Sequence, residues 1–221
     1  MTARFRIIID SELRRKIAML EQAAASRPDS LRARELEALK LGLRALAGGR
    51  EDDFDGKRLG YSPGHHDLRD CAEIKLPVVP EFRYGHDLGP SHRLLYREYE
   101  PEDGGLPYRE AICFEHRGDD LPFGVAGARL GREIGQPVPE LAHLPNHRPT
   151  FLRGAAEPTG PPRLPLPPDL RKALAAASNV APATGAVTAQ PSTRPPSFTA
   201  RRGIPPAESA SQCFTRRTGA P

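Results

Sequence analysis

Apolar residues recur along the first 130 or so positions with two different periods, and the switches between periods mark elements. Phe5, Ile7 and Ile9 alternate with intervening residues, which predicts a short strand over 4–9. Asp10 or Ser11 then stands where a helix cap is needed, with Glu12 in the first turn. Leu13, Ile17, Leu20 and Ala24 follow at helical spacing. Arg27-Pro28-Asp29-Ser30 breaks the pattern. A second helix begins near Leu31, carries Leu36, Leu39, Leu43 and Leu46 on one stripe, and ends at Gly48-Gly49. So short a breaker predicts an antiparallel helical hairpin.

The stretch 51–68 is polar and reads as loop. Three strands are predicted after it, over 71–76, 92–99 and 108–116. In the first, Ala72, Ile74 and Leu76 make one face; Cys71, Glu73 and Lys75 make the other, which is either a solvated strand surface or part of a site. The connection over 77–90 holds three prolines and predicts an inserted loop. A turn rich in glycine and acid spans 101–107. Asp119 or Asp120 starts a short helix to Arg132, with Pro122 in its first turn and Pro137 and Pro139 as stops. Strand, helix, helix, three strands, helix is the order of an α+β domain: a small, mainly antiparallel sheet with helices packed on one side.

Composition changes where the domain ends. From Gly154 onward there are 13 prolines, two phenylalanines and no tyrosine. Such a segment buries too little apolar surface to offset its ordering entropy. The expected organisation is a folded domain over 1–135, an irregular extension over 136–153 and a disordered Pro/Ala-rich basic tail over 154–221, with a transient helix at Pro168 to Ala177. The net charge is +4, but the tail alone holds eight basic residues against three acidic ones. The sequence pI of about 9.1 therefore belongs to the tail and does not make the domain a nucleic-acid binder. Cys71, Cys113 and Cys213 lack paired or metal-type spacing, so reduced thiols are expected, the first two partly buried. The run Ile7-Ile8-Ile9 is too short for a signal peptide and no stretch reaches a membrane span, which predicts a cytoplasmic protein with no membrane partner. The adjacent His65 and His66 are not a metal signature. No Gly-rich phosphate loop and no Ser/His/Asp arrangement is visible, so neither metal nor cofactor is expected.

Four motifs, in order, resemble the RelE/ParE toxin superfamily of bacterial type II toxin–antitoxin systems. DCAEIKL (70–76) is similar to the family's second-strand motif, commonly D-C-x-K-I-K-L. SHRLLYR (91–97) resembles the next strand, EHRGDDLPF (115–123) the strand end followed by an aromatic, and AGARLGR (126–132) the closing helix. The resemblance covers about 4–132; the tail has no counterpart, and the loop over 77–90 is longer than the family's.

The resemblance implies a ribosome-dependent, metal-independent mRNA endoribonuclease. In that chemistry the ribose 2′-OH attacks the adjacent phosphodiester, so a base, cations for the phosphate and an acid for the leaving oxygen are needed. Carried over position by position, Lys75 becomes a base or transition-state stabiliser, Arg93 a phosphate clamp, and Arg117 the cation near the scissile phosphate. Phe123 takes the place of a base-stacking aromatic that is usually tyrosine. Glu73 stands where the pattern has its first lysine; it either weakens the site or is itself the base. Arg97, on the strand of Arg93, joins the substrate-binding candidates, and Lys57 and Arg58 form a basic loop that can hold ribosomal RNA. Read without the resemblance, Lys75 and Glu73 are a solvated pair, Arg93 and Arg97 surface residues, Phe123 a core residue, Arg117 a partner for Asp119 and Asp120, and Lys57 and Arg58 aids to solubility. The implied partners are a cognate antitoxin, the ribosome and mRNA. The alternatives are a ParE-like, non-enzymatic inhibitor of DNA gyrase, or a degenerate toxin-fold binding protein.

Overall fold

A computed structural model describes residues 3–101, 104–146 and 160–178. Strand β1 (Arg6–Ile9) leads into helix α1 (Ser11–Ser26), whose cap is Asp10: its carboxylate accepts from the backbone N–H of Glu12 and Leu13. Pro28 ends α1 by forcing the preceding Arg27 out of helical geometry (φ −145°, ψ 87°). Helix α2 (Leu31–Gly48) starts on the Ser30 hydroxyl and stops at Gly49, which takes the left-handed backbone at φ 65°. A 3-10 turn (Glu51–Phe54) and strand β2 (Lys57–Arg58) come next, then strands β3 (Cys71–Leu76), β4 (Phe82–Arg83), β5 (His86–Asp87), β6 (His92–Tyr99) and β7 (Tyr108–His116). Helix α3 (Leu121–Arg129) follows, and then strand β8 (Arg163–Leu164) and helix α4 (Pro168–Ser178).

The fold is α+β, as the periods predict. The strands line up as β1-β7-β6-β3-β2, and β1 runs parallel to β7 while β7, β6, β3 and β2 alternate in direction. The helical hairpin covers one face: Leu13, Leu20, Leu36, Leu39 and Leu46 pack on Ala72, Ile74, Leu76, Leu94, Tyr96 and Phe114. Contact is close because α2 carries Gly42 there; a Cβ would come within 2.7 Å of Leu76 Cδ1 and 3.0 Å of Leu94 Cδ2.

Three expectations are corrected. Helices do not lie on one side only: α3 packs on the opposite face, where Ala126, Phe123, Val125 and Leu130 meet Cys71, Leu95, Ile112 and Cys113. A β-bulge between Leu95 and Tyr96 in the β6–β7 register supplies that face, since it turns both Ile112 and Cys113 toward α3. Consequently β3 is buried on both faces, with Cys71 at 0% and Glu73 at 1% exposure, so Glu73 is not on a solvated strand surface. Second, the loop over 51–68 contains β2, and the connection over 77–90 contains the β4–β5 hairpin. Third, part of the tail is packed. Strand β8 pairs parallel with the end of β6, setting Arg163 opposite Glu98, and Leu166 is buried with Tyr99 and Tyr108 beside Leu164, Leu170 and Leu174. The disorder expected over 154–221 thus fails at 160–178; residues 179–221, Cys213 among them, lie outside the described residues, as do 147–153 of the expected extension and 154–159 of the expected tail. Among the described residues no helix is long and apolar enough to cross a membrane.

Candidate functional site

Strand pairing fixes which candidates share a face. Lys57 stands opposite Glu73, Lys75 opposite Arg93, and Cys71 opposite Arg97. Lys57, Glu73, Lys75, Arg93 and Arg97 therefore lie on the α3 side of the sheet. Arg58 stands opposite Ala72, on the helical-hairpin side, and its Nε donates to the Gly160 carbonyl. It is thereby separated from the basic set to which the sequence reading assigned it.

The α3 end of this face is structural. Arg97 donates to the Glu110 carboxylate at 2.6 Å and lies 3.6 Å from Asp70. Asp70 in turn accepts two hydrogen bonds from Arg132, each 2.6 Å. Cys71 is buried beside them, which pushes its thiol pKa well up, and burial pushes that of Cys113 up to about 12. Neither thiol is set for nucleophilic chemistry. Phe123 is half-buried against this cluster, the core role that its helix position suggested.

The other end gathers cations. Arg93 is held from three sides: its Nη1 donates to the carbonyls of Pro90 (2.7 Å) and His92 (3.0 Å), and its Nε lies 3.5 Å from Glu73 Oε2. Burial lowers the Arg93 pKa; Glu73 opposes that shift and neighbouring Arg117 adds to it. Lys75, directly across from Arg93, has, among the described residues, only Asp55 at 3.6 Å, on a half-exposed to exposed rim. Lys57 Nζ is 3.2 Å from Glu73 Oε1. Arg117 follows β7; its backbone N–H donates to Ser91 O (2.8 Å). Its guanidinium donates to Glu81 Oε2 from Nε (3.2 Å) and Nη2 (2.9 Å).

Glu73 is thus an anchor below the cations. Its side chain is 2% exposed and its Oε2 receives no hydrogen bond. A carboxylate so placed holds Arg93 and Lys57 in position but does not reach a 2′-OH at the surface.

The sequence reading missed Glu81, His116 and Asp55. Glu81 contacts both His116 Nε2 and Arg117, and His116 Nδ1 accepts from the Gly118 N–H at 3.1 Å. His116 adjoins Arg117 at the strand end and was open to detection; Glu81 lies far off in the inserted connection and carried no signal.

A second polar chain sits deeper. Ser91 Oγ is 3.0 Å from His92 Nδ1, and His92 Nε2 is 3.7 Å from Glu35. This has the order of a nucleophile relay, yet Ser91 is 0% exposed and its hydroxyl accepts the N–H groups of Val78 and Val79. Its task is to pin the chain after β3. Burial pushes the His92 pKa down to about 4, with Glu35 opposing. An unfolded histidine takes up its proton near pH 6.5, so protonation favours the unfolded chain. This contribution is complete above about pH 6.5 and is lost as pH falls toward 4, by on the order of 2–3 kcal/mol. Urea midpoints at pH 7 and 5 check it: the wild type should fall clearly, and His92→Gln should lose most of that difference.

Among the described residues no group of three or more His, Cys, Asp or Glu side chains is gathered to hold a metal ion. No family model, no curated protein and no solved structure matches the chain.

Proposed function

We propose that the chain is a RelE-type toxin: an endoribonuclease that cuts ribosome-bound mRNA by 2′-OH attack and is held inactive by a cognate antitoxin. The element order and the four motifs support this reading. The observation that carries it is the cross-strand pair of Lys75 and Arg93, with Arg117 beside Arg93. Like charges directly opposite each other destabilise a sheet. A fold that keeps three cations at one rim is suited to an anion bridging them, and a phosphodiester has the charge and the acceptor oxygens.

Each residue then has a task. Arg93, fixed by two carbonyls and by Glu73, offers a preset guanidinium to a phosphate oxygen. Arg117 steadies charge near the leaving 5′-oxygen as the P–O2′ bond forms and the P–O5′ bond breaks; water takes the 2′-OH proton and returns one to the 5′-oxygen. Lys75 is the cation whose carboxylate partner is easiest to displace, since Asp55 is 71% exposed at 3.6 Å. Substrate phosphate must displace Asp55 and compete with Glu81 for Arg117, so the resting site is neutralised by its own carboxylates.

That neutralisation also favours a second reading, a ParE-like protein that binds DNA gyrase without chemistry. Inducible expression with mapping of mRNA 5′ ends and a supercoiling assay separates the two. New A-site cuts that vanish in Arg93→Ala and Arg117→Ala are expected, with losses of about 10²–10³-fold, as for removal of a charge-stabilising donor. Growth arrest with intact mRNA and inhibited gyrase would favour the binder, and no arrest would count against both.

A further inference from the structure

The β4–β5 hairpin stands clear of the sheet with both strands exposed. It pairs Phe82 with Asp87 and Arg83 with His86, and its two-residue loop is Tyr84-Gly85, at φ 51° and 80°. Such a loop needs left-handed backbone at both positions, which suits Asn or Asp followed by Gly. A tyrosine at the first position is strained. Nothing in the core offsets that strain: Tyr84 is 89% exposed and Phe82 66%.

The hairpin is nevertheless firmly placed. Its base is closed by the Leu88 N–H donating to Glu81 O (2.9 Å), and Arg117 grips both legs, through the Glu81 carboxylate and the Leu88 carbonyl. The arginine assigned to the scissile phosphate therefore also positions the hairpin. Its one cation, Arg83, shares the hairpin with two carboxylates, Glu81 and Asp87, and Asp87 stands opposite Phe82. The Arg83 guanidinium lies 5.5 Å from the Tyr84 ring centroid, and His86 is alongside. Of the two carboxylates, Glu81 is engaged by His116 and Arg117, and Asp87 accepts the Gly89 N–H at 2.8 Å.

We propose that this hairpin is a stacking platform for single-stranded RNA, on which Phe82 and Tyr84 take unpaired bases whose backbone runs to Arg117 and Arg93. The proposal rests on the RNA reading above. Two exposed aromatic rings flanking Arg83, next to a phosphate-type cluster, match base stacking, which needs only a π-face. A protein-docking patch would instead present contiguous apolar area, and here Arg83, His86 and Asp87 interrupt it.

The test uses the full chain and fluorescence anisotropy with a 2′-O-methyl single strand, which resists cleavage, and a strand of equal length without bases. For Phe82→Ala/Tyr84→Ala, affinity for the based strand should fall about 10–100-fold, in line with loss of base–aromatic stacking, with the abasic strand and the salt slope unchanged. Arg93→Ala should weaken both strands alike and lower the salt slope by about one. Tyr84→Asn should raise the melting temperature while lowering affinity for the based strand; a merely structural tyrosine would give a rise in melting temperature with affinity intact. If the double variant binds both strands like the wild type, the stacking platform is overturned and the RNA reading stands. If it instead loses a protein partner with RNA affinity unchanged, the hairpin is a protein-docking element and the proposal is equally overturned. If the wild type binds neither strand at low salt, both fall together.

Discussion

Glu73→Lys is expected to unfold the domain or leave it barely stable, although lysine is the residue that the toxin pattern has at this position. The Glu73 side chain is 2% exposed between Lys57 at 3.2 Å and Arg93 at 3.5 Å, with Lys75 two residues along the same face. Removing one partner of a buried ion pair costs about 3–5 kcal/mol, and a fourth cation at this point adds repulsion. Domains of this size hold roughly 5–15 kcal/mol in total. Glu73→Gln keeps the shape and should cost less, about 1–3 kcal/mol. Urea midpoints of the two variants test the order. A Glu73→Lys protein as stable as the wild type would mean that residue 73 turns to solvent, against its buried position.

Arg109→Met should be the most damaging substitution away from the site. Arg109 is 2% exposed and holds Glu51 through two hydrogen bonds (2.7 and 2.9 Å), Glu98 at 3.0 Å and the Leu46 carbonyl at 3.0 Å. Its guanidinium stacks 3.5 Å from the Phe5 ring centroid. This one side chain ties the end of α2, the 3-10 turn after it, and strands β6 and β7. Methionine keeps the apolar stem but leaves Glu98 buried with Arg163 as its remaining cation. A loss of about 3–5 kcal/mol follows from breaking a buried pair on one side only. Replacing Glu98 and Glu51 as well, by Met and Gln, should recover much of it, because no charge is then stranded. Denaturant midpoints of the single and triple variants decide; a single variant within about 0.5 kcal/mol of the wild type would sink the network's role.

What the sequence made legible was local. Asp10 and Gly49 cap helices because caps need particular residue types, and the apolar stripes of α1 and α2 follow one period. Strands β3, β6 and β7 were readable for the same reason. Features set by distant partners were not. Strand β2 is two residues long and exists through pairing with β3. The face that carries Cys71 and Glu73 is closed by α3 and Lys57, and alternation along one strand does not say what covers its second face. Leu164, Leu166, Leu170 and Leu174 pack although their surroundings are rich in proline, because a few well-spaced leucines suffice where a composition averaged over the tail hides them. Of the site, Lys75, Arg93 and Arg117 were named from motifs, whereas Glu81 and Asp55, which neutralise two of them, enter from separate loops.

The central claim is 2′-OH attack at the Lys75–Arg93–Arg117 rim. A purified translation system carrying mRNA with a single 2′-deoxynucleotide at the mapped cut tests it most directly. The expected result is cleavage of the all-ribose message to ends bearing a 2′,3′-cyclic or 3′-phosphate. That cleavage should persist in chelator and disappear both with the 2′-deoxy message and with Arg93→Ala. Uncut message, or cutting that ignores the 2′-deoxy substitution, would contradict the claim.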